Sequence, residues 1–184
     1  TRRWAIFLLI IPFFTSYLVR TFSWFVILAE NGVVNAMLGY VGLGPYTMLN
    51  THFGTLVGYM TLTLPLVVIL QTVTMANIDK TLIEAARNLW CTPLATIWRV
   101  ILPLSKTGMI VAAVFCFILC FGDFVAPFYL GGSQEPTLPI LILDTTKSGQ
   151  QWPRAAVVAL MMMGTLFAVA FSGIMLAYKK QSNR

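Results

Sequence analysis

The chain has 184 residues, of which 58% are hydrophobic and only 10% are charged, and its mean hydropathy is +0.82. Soluble domains carry about 25% charged residues, so this composition excludes an ordinary soluble protein and indicates an all-α bundle of membrane-spanning helices. The net charge is +6, but the basic residues are scattered between apolar runs without a continuous basic face, which argues against nucleic-acid binding.

The first apolar run extends from Trp4 to about Phe25. Crossing the hydrocarbon takes roughly 20 residues, so this run predicts a first span, with a kink at Pro12 that a membrane helix tolerates. Arg20 lies near the far end, and we expect its side chain to extend outward to the headgroups. Residues 28–50 are richer in Gly and Asn, which predicts an external loop containing an interfacial helix around 33–40.

The second predicted span is residues 52–76. Gly54 and Gly58 are spaced four residues apart, as on helix faces that pack closely against a neighbour, and Pro65 lies in the middle of the span.

A polar-punctuated stretch, residues 79–103, follows this span directly. Thr81 and Glu84 have the spacing of a capping box, which predicts a helix from near Leu82. Thr92-Pro93 has the pattern of an N-cap followed by the first helical residue, and Pro103 predicts a break. We therefore predict two short helices joined by a turn, and we refer to residues 79–103 as the elbow.

Two further spans are predicted, at 107–127 and 153–178, with a polar loop between them. Asp123 is the only acidic residue inside any predicted span. An intramembrane carboxylate is costly, which makes it a candidate functional residue, and Gly122 and Pro127 on either side suggest a local bend.

Lys and Arg predict the orientation, because short loops rich in these residues stay cytoplasmic. If the elbow is cytoplasmic, three basic residues lie outside, namely Arg20, Lys147 and Arg154. Nine lie inside: Arg2, Arg3, Lys80, Arg87, Arg99, Lys106, Lys179, Lys180 and Arg184. Both chain ends and the elbow are therefore expected on the cytoplasmic side.

Candidate catalytic or metal-binding groups are few. His52 has no carboxylate near it in the sequence and is interpreted as an interfacial residue, and no catalytic or metal site is predicted. The three cysteines are interpreted as buried thiols, and the run 161–163 of methionines as packing. The chain has no Gly-Lys-Ser/Thr phosphate loop, so any ATP must be bound by another subunit.

The order Glu84-Ala85-Ala86 followed by Leu102-Pro103, between membrane-length apolar runs, resembles the EAA loop of ABC-importer permeases. In that family the loop is a cytoplasmic coupling helix that sits in a groove of an ATPase subunit. The resemblance implies an ATPase-docking role for Glu84, Ala85, Ala86, Arg87, Leu89, Trp90, Leu102 and Pro103.

Two positions depart from this pattern, because the family's Gly falls at Trp90 and its Ile at Val100. Gly adopts positive φ freely, whereas Trp there would lose roughly 1–2 kcal/mol. Either the elbow turns without a left-handed residue, or Trp90 is an anchor in the partner's groove. Of these two, we expect the turn without a left-handed residue.

Four shorter phrases look like the permeases of polyamine-type (spermidine/putrescine) importers, at 12–21, 31–35, 122–127 and 130–132. This resemblance implies a bacterial inner-membrane permease that works by alternating access. As an intramembrane carboxylate, Asp123 is expected on the translocation path, and the alternative is a carboxylate that is solvated at the headgroups or paired with another helix. It also implies cytoplasmic ATPase subunits that bind ATP and Mg²⁺, a second permease subunit and an external solute-binding protein, with no cofactor in this chain.

Several alternatives stay open at this point. Related permeases move iron, thiamine, opines or phosphonates, and an ATP-independent channel or secondary transporter would share the same composition. A membrane enzyme is less favoured, since no acid–base or nucleophile constellation is visible. The resemblance covers nearly the whole chain, 1–184, as one transmembrane domain, and we expect it to lack N-terminal helices that the family usually carries.

Overall fold

A computed structural model describes residues 11, 14–133 and 136–179, with side chains to Ala177. The predictions at Arg2, Arg3, Pro12, Lys180 and Arg184 lie outside these residues.

Every regular element in the described part of the chain is helical, which confirms the all-α class. The helices are α1 (Tyr17–Leu28), α2 (Val33–Tyr40), α3 (His52–Ala76), α4 (Lys80–Asn88), α5 (Pro93–Thr96), α6 (Leu102–Leu104), α7 (Lys106–Gly122), α8 (Val125–Tyr129), α9 (Leu138–Lys147) and α10 (Trp152–Lys179), with a π-helical turn, Ile97–Ile101, between α5 and α6.

Four stretches have the length and apolar composition of membrane spans. Three of them are Tyr17–Tyr40, His52–Ala76 and Trp152–Ala177, and the fourth is a pair of helices, Pro93–Leu104 and Lys106–Gly122, bent by 64°. The predicted second and fourth spans are confirmed. The predicted third span ends earlier than expected, at Gly122. In the first, Ile11 and Phe14 are helical, a break at 15–16 precedes α1, and the candidate span extends to Tyr40, beyond the predicted end near Phe25.

The chain divides into two compact units, one made of residues 1–65 and 118–167 and the other of residues 66–117 and 168–184. The first unit contains α1, α2, α8 and α9, and the second contains the elbow.

In the first unit, the loop between α1 and α3 is ordered by one buried amide. Asn35 on α2 donates from Nδ2 to the carbonyl of Tyr46 at 2.9 Å, and the N–H of Tyr46 donates back to Asn35 Oδ1 at 3.0 Å. The predicted helix at 33–40 is therefore confirmed, and the Asn35 side chain fixes the position of the Gly-rich segment that follows it.

The two small residues near the start of α3 make the close approach that their spacing predicts. A Cβ at Gly58 would lie 2.5 Å from Cβ of Ala126, and one at Gly54 would lie 2.6 Å from the carbonyl oxygen of Leu130. Ala126 and Leu130 are fully buried. The first turns of α3 and helix α8 thus pack closely in this unit's core.

Candidate functional site

Helix α4, the first helix of the elbow, begins two residues earlier than the sequence predicts. Asp79, not Thr81, caps α4: its Oδ1 accepts a hydrogen bond from the N–H of Thr81 at 3.0 Å, and the helix starts at Lys80. The predicted capping box at Thr81 and Glu84 is therefore wrong. The missed signal was an Asp directly before the helical run, since Asp is among the best N-caps. The hydrogen bond from the Thr81 backbone lowers the pKa of Asp79 below its ordinary value.

The turn after α4 is a Schellman motif with a tryptophan at the position that usually holds glycine. The N–H of Trp90 donates to the carbonyl of Arg87 at 2.9 Å, and the N–H of Cys91 donates to the carbonyl of Ala86 at 3.1 Å. Trp90 has φ +56°, so the expectation of a turn without a left-handed residue is wrong. A non-glycine residue in this conformation costs roughly 1–2 kcal/mol.

The second arm of the elbow begins as predicted. Thr92 Oγ1 accepts from the N–H of Ala95 at 3.3 Å, and Pro93 is the first helical residue. The helix then widens into the π turn, where the N–H of Leu102 reaches the carbonyl of Ile97. Pro103 has no N–H to continue the ladder, and the 64° bend follows at Ser105.

The predicted docking residues do not share one exposed face. Ala86 is only 6% exposed, because α4 packs against α5 and the π turn on this side. Leu102 is half-buried. The others are exposed, namely Glu84, Ala85, Arg87, Leu89, Trp90 and Pro103.

Several large apolar side chains of the elbow are exposed. Trp90 is 94% exposed, and its neighbour Leu89 and three side chains of the second arm are exposed as well. We call this set the elbow tip: Leu89, Trp90, Leu94, Ile97 and Trp98. The last three are spaced three and four residues apart, so helical periodicity groups them in one apolar stripe but does not indicate whether that stripe faces outward.

Asp123 lies in the first unit, at the break between α7 and α8. Its carboxylate accepts from the N–H groups of Val125 at 3.0 Å and Ala126 at 3.1 Å, so it caps α8. Tyr17 on α1 donates its hydroxyl to Oδ2 at 2.7 Å. The predicted bend is confirmed, and the half-buried carboxylate makes three hydrogen bonds within this unit.

Arg20 does not extend outward as expected. Its Nη1 donates to the carbonyl of Thr61 at 3.1 Å. That carbonyl is available because Pro65, four residues further along α3, has no N–H to donate to it. The guanidinium carbon lies 6.0 Å from the ring centre of Tyr17, so Tyr17 contacts the cation with its face and the Asp123 carboxylate with its hydroxyl. We call Tyr17, Arg20 and Asp123 the charged cluster.

The same unit contains a cavity of about 420 Å³ with hydroxyl and imidazole groups in its wall, from Thr51, His52, Thr55, Tyr59 and Thr137. The Oγ1 atom of Thr137 is buried without a hydrogen-bond partner among the described residues. Within those residues no group of three or more His, Cys, Asp or Glu side chains could hold a metal ion, and the three cysteines are half-buried and form no disulfide.

Comparison with known proteins gives a consistent assignment. The family model described as "Binding-protein-dependent transport system inner membrane component" matches residues 1–181. Two curated relatives are spermidine/putrescine transport system permease proteins PotB. The one from Haemophilus influenzae is 29% identical over 84% of this chain and 55% of its own length. The one from Escherichia coli K12 is 28% identical over 95% of this chain and 66% of its own length.

A solved structure has the same fold. It is the crystal structure of a bacterial ABC transporter involved in the import of the acidic polysaccharide alginate, with a TM-score of 0.76 and 17% identity, over 97% of this chain and 66% of that one. The chain thus spans between about half and two thirds of the length of these relatives. Because the family model covers nearly all of it, this chain belongs to the inner-membrane components of binding-protein-dependent transport systems.

Proposed function

We propose that this chain forms part of the transmembrane permease of a bacterial ABC importer, and that its substrate is a polyamine of the spermidine/putrescine type. The observation that carries the permease role is the elbow, a capped helical hairpin that holds large apolar side chains in an exposed position. The two relatives named as spermidine/putrescine permeases support the substrate class.

The elbow is the docking site for a cytoplasmic ATPase, which binds ATP and Mg²⁺. Helices that lie in a groove of a partner are held by the apolar side chains of one exposed face, and the elbow tip has this form. Closure of the ATPases would move the elbow and rock the spans between inward-open and outward-open states, with a second permease subunit and an external solute-binding protein completing the importer.

The elbow and both ends of the chain are cytoplasmic in this proposal. Arg20 donates a hydrogen bond inside the first unit, so only Lys147 and Arg154 remain as basic residues of the outer loops. The excess of basic residues on the elbow side is therefore larger than the sequence alone indicated. A cysteine at exposed Ser148 should react with an impermeant thiol reagent added outside, whereas one at exposed Asn88 should not. The reverse labelling would overturn this orientation.

The substrate path passes the charged cluster and the 420 Å³ cavity, both within the first unit. Asp123 supplies negative charge where water is scarce, and such a charge attracts a cationic substrate far more strongly than it would in water. The hydroxyl groups in the cavity wall would accept hydrogen bonds from ammonium groups.

Ala85→Asp tests the docking role. Ala85 is exposed, so the elbow should fold normally while a carboxylate is introduced into the interface. We expect the variant to insert into the membrane but to lose binding of the Walker-motif ATPase that co-purifies with the wild-type permease, and with it ATP-driven uptake. Ser148→Asp, an exposed change far along the sequence, is the control. Normal uptake by Ala85→Asp, or ion-driven uptake without any ATPase, would overturn the proposal.

A further inference from the structure

The side chain of Trp90 gains almost nothing from its own chain. Its backbone is left-handed, at φ +56°, and its side chain is 94% exposed. The two hydrogen bonds of the turn use backbone atoms only, so a glycine at this position would make both of them without strain. Backbone strain of this kind concentrates at functional positions, where the side chain acts on something else.

The surroundings of Trp90 have the composition of a protein interface. The elbow tip is apolar, and the elbow also has exposed charged groups. Basic groups outnumber acidic ones on it: they are Lys80, Arg87 and Arg99 against Asp79 and Glu84. An aromatic anchor inside a charged rim is the usual arrangement of an interface hot spot, and the excess of positive charge favours a partner with an acidic rim.

We propose that Trp90 is the anchor residue of this elbow and that it inserts into an apolar, acidic-rimmed pocket of the ATPase subunit. This inference rests on the proposed function and deepens it. The elbow as a whole would dock on the ATPase, while the indole of Trp90 would select an ATPase whose groove has room for it. A permease with glycine at this position would not require that pocket.

A membrane surface would be a different use for exposed tryptophan and basic residues. Lipid headgroups, however, accept an indole from any exposed helical position and do not require a left-handed backbone. Trp98 on the same elbow is exposed with the helical backbone of the π turn, so a lipid contact was available without strain. The strained backbone of Trp90 fixes the position of its indole, which a protein pocket requires and a lipid surface does not.

The experiment measures the dissociation constant between the full-length permease in nanodiscs and the Walker-motif ATPase that co-purifies with the wild-type permease. Trp90→Gly should weaken binding about thirtyfold, as expected for a hot-spot aromatic. Its thermal unfolding temperature should stay equal or rise, because the strain is relieved. Trp90→Asn, which tolerates the left-handed conformation, should weaken binding equally and so exclude an effect of glycine flexibility. Trp90→Phe should keep most of the affinity.

Trp152→Ala is the matched control, since this tryptophan is also exposed but lies outside the elbow. If Ala85→Asp abolishes binding while Trp90→Gly binds like the wild type, the anchor is overturned and the docking role stands. If both variants bind normally, both proposals fall. Quenching of the Trp90 fluorescence by brominated lipid, with no change in affinity on Trp90→Gly, would show a membrane contact and overturn the anchor.

Discussion

The charged cluster and the elbow tip use costly groups in opposite ways. In the cluster, the Asp123 carboxylate makes three hydrogen bonds and Arg20 occupies the carbonyl that Pro65 frees, all within one unit. At the tip, two backbone hydrogen bonds hold the left-handed turn at Trp90, while its indole and the other large apolar side chains stay exposed. The first region therefore bonds most of its polar groups within the unit, with only Nε of Arg20 buried without a partner among the described residues, whereas the second keeps its apolar side chains at the surface.

The difference gives a rule for substitutions. Changes in the charged cluster should alter the stability of the protein, because its hydrogen bonds are internal. Changes at the tip should alter association and leave stability almost unchanged. Ala86 is the exception inside the elbow, since it is buried next to exposed Ala85.

The largest expected effect comes from Ala86→Asp. A carboxylate buried without a partner should destabilise the hairpin by about 3 kcal/mol or more. Hydrogen exchange of residues 80–104 should then approach that of an unfolded segment. Ala85→Asp, at the exposed neighbour, should change the free energy of opening obtained from hydrogen exchange by less than about 0.5 kcal/mol. Equal protection in both variants would mean that the two alanines are not separated as described.

Asp123→Asn comes next. The amide keeps one acceptor oxygen in place of two, so at least one N–H of α8 or the Tyr17 hydroxyl loses its partner. We expect a loss of about 2 kcal/mol in the free energy of unfolding and impaired polyamine uptake with normal insertion. Tyr17→Phe removes one of the three hydrogen bonds and should cost less. Unchanged uptake in Asp123→Asn at equal expression would remove Asp123 from the proposed path.

A smaller effect tests the link between Arg20 and Pro65. Arg20→Gln should cost about 1.5 kcal/mol in the wild type, because the carbonyl of Thr61 loses a charged donor. In a Pro65→Ala background the restored N–H can serve that carbonyl, so the same change should cost about 1 kcal/mol less. Additive effects in the double variant would show that the two residues do not share an acceptor.

The smallest effect concerns pH. The pKa of Asp79 is lowered in the folded protein by the hydrogen bond from the Thr81 backbone. The resulting stabilisation of the first turn of α4 is therefore present above the unfolded-state pKa and is lost as the pH falls through the lower, folded-state pKa. Amide exchange at Thr81 and Leu82 should speed up in that acidic range, after correction for intrinsic rates. Asp79→Asn should show no such step.

The sequence predicted the elements of this fold better than their contacts. Apolar length identified the second and fourth spans, and Thr92-Pro93 identified the start of the second arm, because these signals are local. The partner of Arg20 was not predictable. A proline announces a free carbonyl, but which side chain reaches it depends on how α1 packs against α3.

The elbow shows the same limit at the level of the site. Spacing predicted the two helices, and the resemblance implied the same docking role for Ala85 and Ala86. Only the packing of α4 on the second arm separates them. The conformation of Trp90 was predicted wrongly because the intrinsic preference of Trp was weighed without the two backbone hydrogen bonds that fix the turn.

The contact between Gly58 and Ala126 has a mechanical consequence. There the start of α3 and helix α8 approach through the small residues Gly58 and Ala126, and the Leu130 side chain beside them is fully buried, so it has little room to change rotamer and let the helices slide. A helix contact of this kind allows little relative movement of the two helices. During a transport cycle we therefore expect the first turns of α3 and helix α8 to move together as one rigid body. The backbone should deform elsewhere in the chain.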